Sequence, residues 1–164
     1  MLKLFGSLLI VSAFSICGFL KSENLKKRSE NLLRIVSSLA LLESEISYGQ
    51  KGMRDALMSI GTIEKLPLFT AVSKNIGTSS MENVFADAIS KYDMKLSEAD
   101  NLTLLEFSQS LGSLDSTAQI KSILHAKELL KNAQKDAYEE YKKYGRLYRN
   151  MGLLLGILFA LILF

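Results

Sequence analysis

The sequence predicts an all-α fold, a compact bundle of about six helices flanked by hydrophobic membrane segments at its N- and C-terminal ends. Three observations predict it. The 164 residues include one Pro and no Trp, and they are rich in Leu, Lys, Glu, Ser and Ala, which favours helices over sheets. Apolar residues recur at steps of three and four through the middle of the chain. The apolar share of 48% is unevenly spread, with both ends almost purely apolar and the charge gathered between them.

The first element is an uncharged run over residues 4–20, bounded by Lys3 and Lys21. Its 17 residues stand at the lower limit for crossing a bilayer. Ala13-Phe14-Ser15 matches a small-x-small cleavage pattern, and Cys17 follows Ile16 where a lipoprotein would need a small residue. An uncleaved anchor is the expectation. A bundle helix then runs over 22–48, with Leu25, Leu32, Val36, Leu39 and Ile46 on one stripe and Leu33 and Leu42 widening it, and Gly49 as its stop. The second helix is expected over 53–60, ending at Gly61. Pro67 suits the first turn of the third, where its missing N–H costs nothing. That helix would bury Leu68, Phe69, Val72 and Ile76 and stop at Gly77.

Ser79 with Glu82 makes a capping box for the fourth helix, which would bury Val84, Phe85, Ala88, Ile89 and Tyr92. Ser97 with Asp100 is a weaker form of the same signal for the fifth, carrying Leu102, Leu105 and Leu111 and ending at Gly112. Asp115 or Ser116, with Gln119, opens the sixth. Its face is Ile123, Ala126, Leu130, Ala133 and Ala137, and the alanines invite the first helix to pack closely. No Gly, Pro or Asn cluster interrupts this helix until Gly145, and the expectation is that it continues through Tyr148 into the final apolar run of 14 residues, 151–164. That run is about 21 Å long, against a hydrocarbon core of roughly 30 Å. Tyr144, Leu147 and Tyr148 extend it into the interface. The domain reading is therefore a first membrane segment over 1–21, a bundle over 22–149 and a second membrane segment over 150–164.

Charge orients this arrangement. Residues 21–34 carry +3 and residues 138–149 carry +2, while 35–137 carry −3. Both basic clusters lie on the bundle's side of the apolar runs, so the positive-inside rule puts the bundle in the cytoplasm. Tyr138, Tyr141, Tyr144 and Tyr148, interleaved with Lys142, Lys143, Arg146 and Arg149, read as an interfacial belt. A net charge of +3 is too small to imply nucleic-acid binding.

Little in the chain suggests catalysis. Single Cys and His residues argue against a metal site and an internal disulfide. Glu43 and Glu45 are two apart and point to different sides of a helix, and His125 stands alone. Phosphate loops, dinucleotide fingerprints and nucleophile elbows are missing from the sequence. No catalytic, cofactor or metal residue is expected. Gly152-x-x-x-Gly156, with Gly145, leaves homo-oligomerisation open.

The segment Leu42-Glu43-Ser44-Glu45-Ile46-Ser47-Tyr48-Gly49, followed by Met53, Arg54, Asp55 and Ala56, resembles the signature of the stage III sporulation protein AB family. The opening Met1-Leu2-Lys3-Leu4-Phe5-Gly6 and the stretch Leu111-Gly112-Ser113-Leu114-Asp115, with Gln119 and Ile123, are similar to it as well. The resemblance implies a membrane protein of a channel-like complex joining mother cell and forespore during engulfment. It also implies a cytoplasmic bundle like that of the platform protein of type II secretion and type IV pilus machines. By analogy the chain would link a cytoplasmic hexameric ATPase to membrane channel subunits, in contact with membrane lipid, with its bundle in the mother-cell cytoplasm at the outer forespore membrane. The expected contacts with that partner are Tyr48, Arg54 and Asp55, near the turn after the first bundle helix. The alternatives are a membrane-anchored binding module outside the cytoplasm and a membrane enzyme using Glu43, Glu45 or His125.

Overall fold

The expected helices form, and several end where local chemistry rather than composition dictates. The computed structural model describes residues 2–48, 52–111 and 115–163, with side chains over 5–48, 52–111 and 115–162. The order is α1 (Leu2–Tyr48), α2 (Met53–Ile63), α3 (Pro67–Asn75), α4 (Met81–Lys91), α5 (Glu98–Ser110) and α6 (Ser116–Leu163). No strand occurs among the described residues, only a single bridge between Ile76 and Ser79. The expected stops Gly49 and Gly112 lie outside the described residues.

Caps explain most boundaries. Pro67 is the first residue of α3, as its fixed φ favours. Ser97 and Asp100 close a full capping box, the Ser97 hydroxyl accepting from Asp100 N at 3.2 Å and the Asp100 carboxylate accepting from Ser97 N at 2.8 Å. Asp115 accepts from Thr117 N at 2.9 Å and so caps α6. The α4 cap is Ser80, which accepts from Asn83 N at 3.3 Å, one residue after the expected Ser79. Gly77 follows α3 with φ +89°, a conformation that side chains resist. Gly61 does not stop α2, which runs on to Ile63. It sits buried in the helix because Thr70 of α3 lies where a Cβ would go.

The chain divides into two compact units. One is Glu30–Lys135. Its core takes Leu32, Ile35, Leu39 and Leu42 from α1, Leu57 and Ile60 from α2, and Ile123, Ala126 and Leu130 from α6. Three buried phenylalanines join α3, α4 and α5. Phe85 meets Phe69 edge-to-face with centroids 6.2 Å apart and Phe107 likewise at 6.0 Å. Asn31 donates to the Met94 carbonyl at 2.8 Å and fastens the α4–α5 connection to α1. Two stripes differ from expectation. Leu33 and Leu102 face solvent, each 54% exposed, while Ile35, Leu104 and Phe107 are buried. Ile76, Ile89 and Tyr92 are only half-buried.

The other unit is Met1–Ser29 with Asp136–Phe164. Here α1 and α6 run antiparallel. Phe14 stacks on Phe159 with centroids 5.1 Å apart, and Arg28 reaches Glu140 at 3.7 Å at the opposite end. Small residues make the seam between them, among them Gly18, Ser22, Gly145, Gly152 and Gly156. A Cβ on Gly152 would sit 2.6 Å from the Phe14 carbonyl oxygen, and one on Gly156 would sit 2.9 Å from the Val11 Cα. The glycines of the Gly152-x-x-x-Gly156 motif are thus engaged with α1 of the same chain. Both helices carry a stretch long and apolar enough to cross a membrane. Only 6% of that stretch in α1 and 17% in α6 is buried, whereas a buried core helix would be covered on most faces.

Candidate docking and membrane-edge sites

The three residues proposed for docking fall at the end of α1 and the start of α2. Tyr48 is the last residue of α1 and is 89% exposed. Gly52 is the N-cap of α2 and offers no side chain, so the first turn depends on the residues that follow. Asp55 supplies the negative charge that the positive end of a helix favours. Arg54 reaches across to the end of α3, where its guanidinium donates to the Ile76 carbonyl at 2.6 Å. That carbonyl belongs to the residue terminating α3, so Arg54 ties the start of α2 to the α3–α4 turn. Arg54 and Asp55 are both exposed. These positions thus offer an exposed aromatic ring and two oppositely charged residues, each with a local structural duty.

The residues considered for catalysis do not converge. Glu43 accepts from Lys127 at 2.5 Å, with both side chains about one quarter exposed, and so bridges α1 to α6. Glu45 lies two residues on, and His125 faces solvent on α6. Among the described residues, no three His, Cys, Asp or Glu side chains gather at metal-binding distance. Cys17 is exposed on the apolar part of α1.

The second site is on α6, just before its apolar run. Tyr138, Tyr141, Lys142, Arg146 and Arg149 line a recess of about 400 Å³. These positions follow steps of three and four, so successive turns of one helix present them together. Lys143 lies 4.9 Å from the centre of the Tyr144 ring, and Tyr144 leans on Tyr148 with centroids 6.3 Å apart. Glu140, on the same stretch of α6, reaches Arg28 at 3.7 Å. The sequence showed these residues as a belt. Their convergence on a concave surface was beyond it.

A bundle that is helical throughout its regular elements among the described residues, whose first and last helices each bear a stretch long and apolar enough to cross a membrane, edged by aromatic and cationic residues, defines the class: a helical bundle protein with two candidate membrane spans. Residues 3–164 match the family described as stage III sporulation protein AB, and the chain belongs to that family. The chain is similar to the stage III sporulation protein AB of Bacillus subtilis (strain 168), with 28% identity over 170 residues spanning 99% of each chain. A solved structure of a stage III sporulation protein AB (SpoIIIAB) matches with a TM-score of 0.61 and 25% identity, covering 70% of this chain and 96% of the other. The expected family and fold therefore hold, and the chain is a sporulation protein by family. These relatives are named for sporulation and for no enzymatic activity.

Proposed function

We propose that the chain is a non-enzymatic membrane scaffold of the mother cell–forespore channel, linking a cytoplasmic ATPase to membrane channel subunits. The observation that carries this reading is continuity of secondary structure. α1 and α6 are each one helix, of 47 and 48 residues, so the segment suited to the membrane and the segment in the bundle core belong to the same helix. Both helices contribute to the bundle core, through Leu32, Ile35 and Leu39 on α1 and Ile123, Ala126 and Leu130 on α6, so a partner bound to the bundle binds a body that both helices help to build. The basic clusters on the bundle's side of both apolar runs favour a cytoplasmic bundle; on this reading that is the mother-cell cytoplasm, with the helix pair in the outer forespore membrane. Tyr48, Arg54 and Asp55 are the proposed contacts with the ATPase.

Topology tests the reading. Cys17 is replaced by Ala, and a single Cys is placed at Ala86, which is exposed on α4 and has no capping duty, unlike Ser80. Intact sporulating cells are treated with a membrane-impermeant maleimide. Protection before lysis and labelling after it is the expected result. Labelling of intact cells would place the bundle outside the cytoplasm and end the ATPase-linking role in favour of an external binding module.

A further inference from the structure

The cationic recess on α6 does not stand alone. A second, shallow and largely open concavity of about 390 Å³ lies in the same unit, lined by Ser15, Ile16, Phe19, Leu153 and Arg149. Its wall is almost wholly apolar, and Arg149 is its only charge among the described residues. Arg149 also lines the cationic recess, so this side chain borders both concavities. The order along α6 is informative. Lys142, Arg146 and Arg149 precede the uncharged run, and Leu153 is one turn inside it. On α1, Ile16 and Phe19 likewise belong to the uncharged run that Lys21 closes. A polar recess with three cations thus passes, at the edge of the membrane stretch, into an apolar groove.

We propose that this composite site binds one anionic phospholipid, its phosphate held in the recess by Lys142, Arg146 and Arg149 and an acyl chain laid along Ile16, Phe19 and Leu153. The inference rests on the membrane reading of α1 and α6. Charge complementarity selects the occupant. None of the three cations has a carboxylate partner among the described residues, and no described carboxylate lines the recess. Two guanidinium forks match a phosphodiester, and the Tyr138 and Tyr141 side chains supply the aromatic wall usual at headgroup depth. The groove adds what a diffuse basic belt lacks, a place for the hydrocarbon directly beneath the charge. Neutral phospholipids would fill the groove but leave the three cations facing one compensated headgroup.

The test uses the full chain in neutral detergent, titrated with phosphatidylglycerol or phosphatidylcholine, with retained lipid counted by native mass spectrometry. One phosphatidylglycerol retained in preference to phosphatidylcholine is the expected result. The triple variant K142Q/R146Q/R149Q should weaken retention by about a hundredfold. The variant K21Q/K27Q/K143Q removes the same charge from nearby positions outside both concavities and should keep the lipid. Equal loss in both variants would reduce the site to a general electrostatic field and overturn the proposal. Displacement of the lipid by millimolar inorganic phosphate would assign the recess to a free anion and leave the groove without a role. If the triple variant does not fold, R149Q alone, at the junction of recess and groove, should lower retention at least fivefold. Wild-type protein that fails to float with vesicles of either lipid would refute the membrane reading itself. Flotation with both, without selective retention, would refute only the lipid site.

Discussion

Substituting Gly61 by Ala is expected to destabilise the bundle, although the same change in an open helix stabilises it. Gly61 is in the last turns of α2, where Ala would gain about 1 kcal/mol in helix propensity. The gain is overridden because the new Cβ would lie 2.6 Å from the Thr70 backbone nitrogen, 2.5 Å from the Thr70 Oγ1 and 3.2 Å from the Leu66 carbonyl oxygen. A hydroxyl can rotate aside, but the nitrogen belongs to the second turn of α3 and moves only with that helix. Overpacking of this kind costs about 1–3 kcal/mol, leaving a net loss of up to about 2 kcal/mol. For a unit of this size each kcal/mol lowers the midpoint by about 4–8 °C. Thermal unfolding of the full chain in detergent, followed by circular dichroism, reads it directly. The double change with Thr70→Ala should restore only part of the loss, because it clears the hydroxyl and leaves the nitrogen. A G61A midpoint at or above wild type would refute the close approach of α2 and α3. Full rescue by Thr70→Ala would assign the clash to the side chain alone.

Three further outcomes are expected. Phe85→Ala should cost about 3–5 kcal/mol in the same unfolding assay, since Phe85 is fully buried and lies between Phe69 and Phe107. Ser97→Ala should cost about 1 kcal/mol, with faster amide exchange in the first turn of α5, because it opens the reciprocal cap with Asp100. Gly152→Ile should part α1 from α6 near Phe14, so oxidative cross-linking of a Phe14→Cys, Phe159→Cys pair in a Cys17→Ala background should fall sharply, whereas Leu154→Ile, at an exposed position, should leave it unchanged.

The helices were legible because their signals are local. Pro67, the Ser97–Asp100 box and Asp115 act within one turn, and α6 runs on through Gly145, Gly152 and Gly156, which lie in close contact with neighbouring residues and do not end the helix. Errors arose where one residue type serves two purposes. Gly61 reads as a terminator, but its smallness serves contact with Thr70, and no neighbour in the sequence distinguishes the two. Adjacent Ser79 and Ser80 are equally good caps on paper. Leu33 and Leu102 fit a helical stripe, yet the core face is set by where the other helices lie, and it passes through Ile35 and Leu104 instead. The belt on α6 was visible as composition. The groove beside it was not, because it forms only when residues 15–19 meet residues 149–153, a register fixed by Gly18 and Gly152 across more than a hundred residues.

The docking residues call for a test that separates recognition from folding. Arg54→Ala removes a hydrogen bond to the Ile76 carbonyl, which is worth about 1 kcal/mol at an exposed site, and slackens the link between α2 and the α3–α4 turn. A sporulation defect in that variant would therefore not identify a contact. Asp55→Ala has a similar weakness through the start of α2, where loss of the favourable end charge costs about 0.3–1 kcal/mol. Tyr48 has no such duty. At 89% exposure its truncation should change stability by no more than about 0.5 kcal/mol. Tyr48→Ala is accordingly the informative variant: on the docking reading it should keep the wild-type unfolding midpoint and lose ATPase capture by the full chain. An Arg54→Lys variant should keep part of the local tie and so retain more capture than Arg54→Ala. If Tyr48→Ala captures the ATPase as well as wild type, the aromatic ring is only the exposed end of α1, and the partner surface must be sought elsewhere on the bundle.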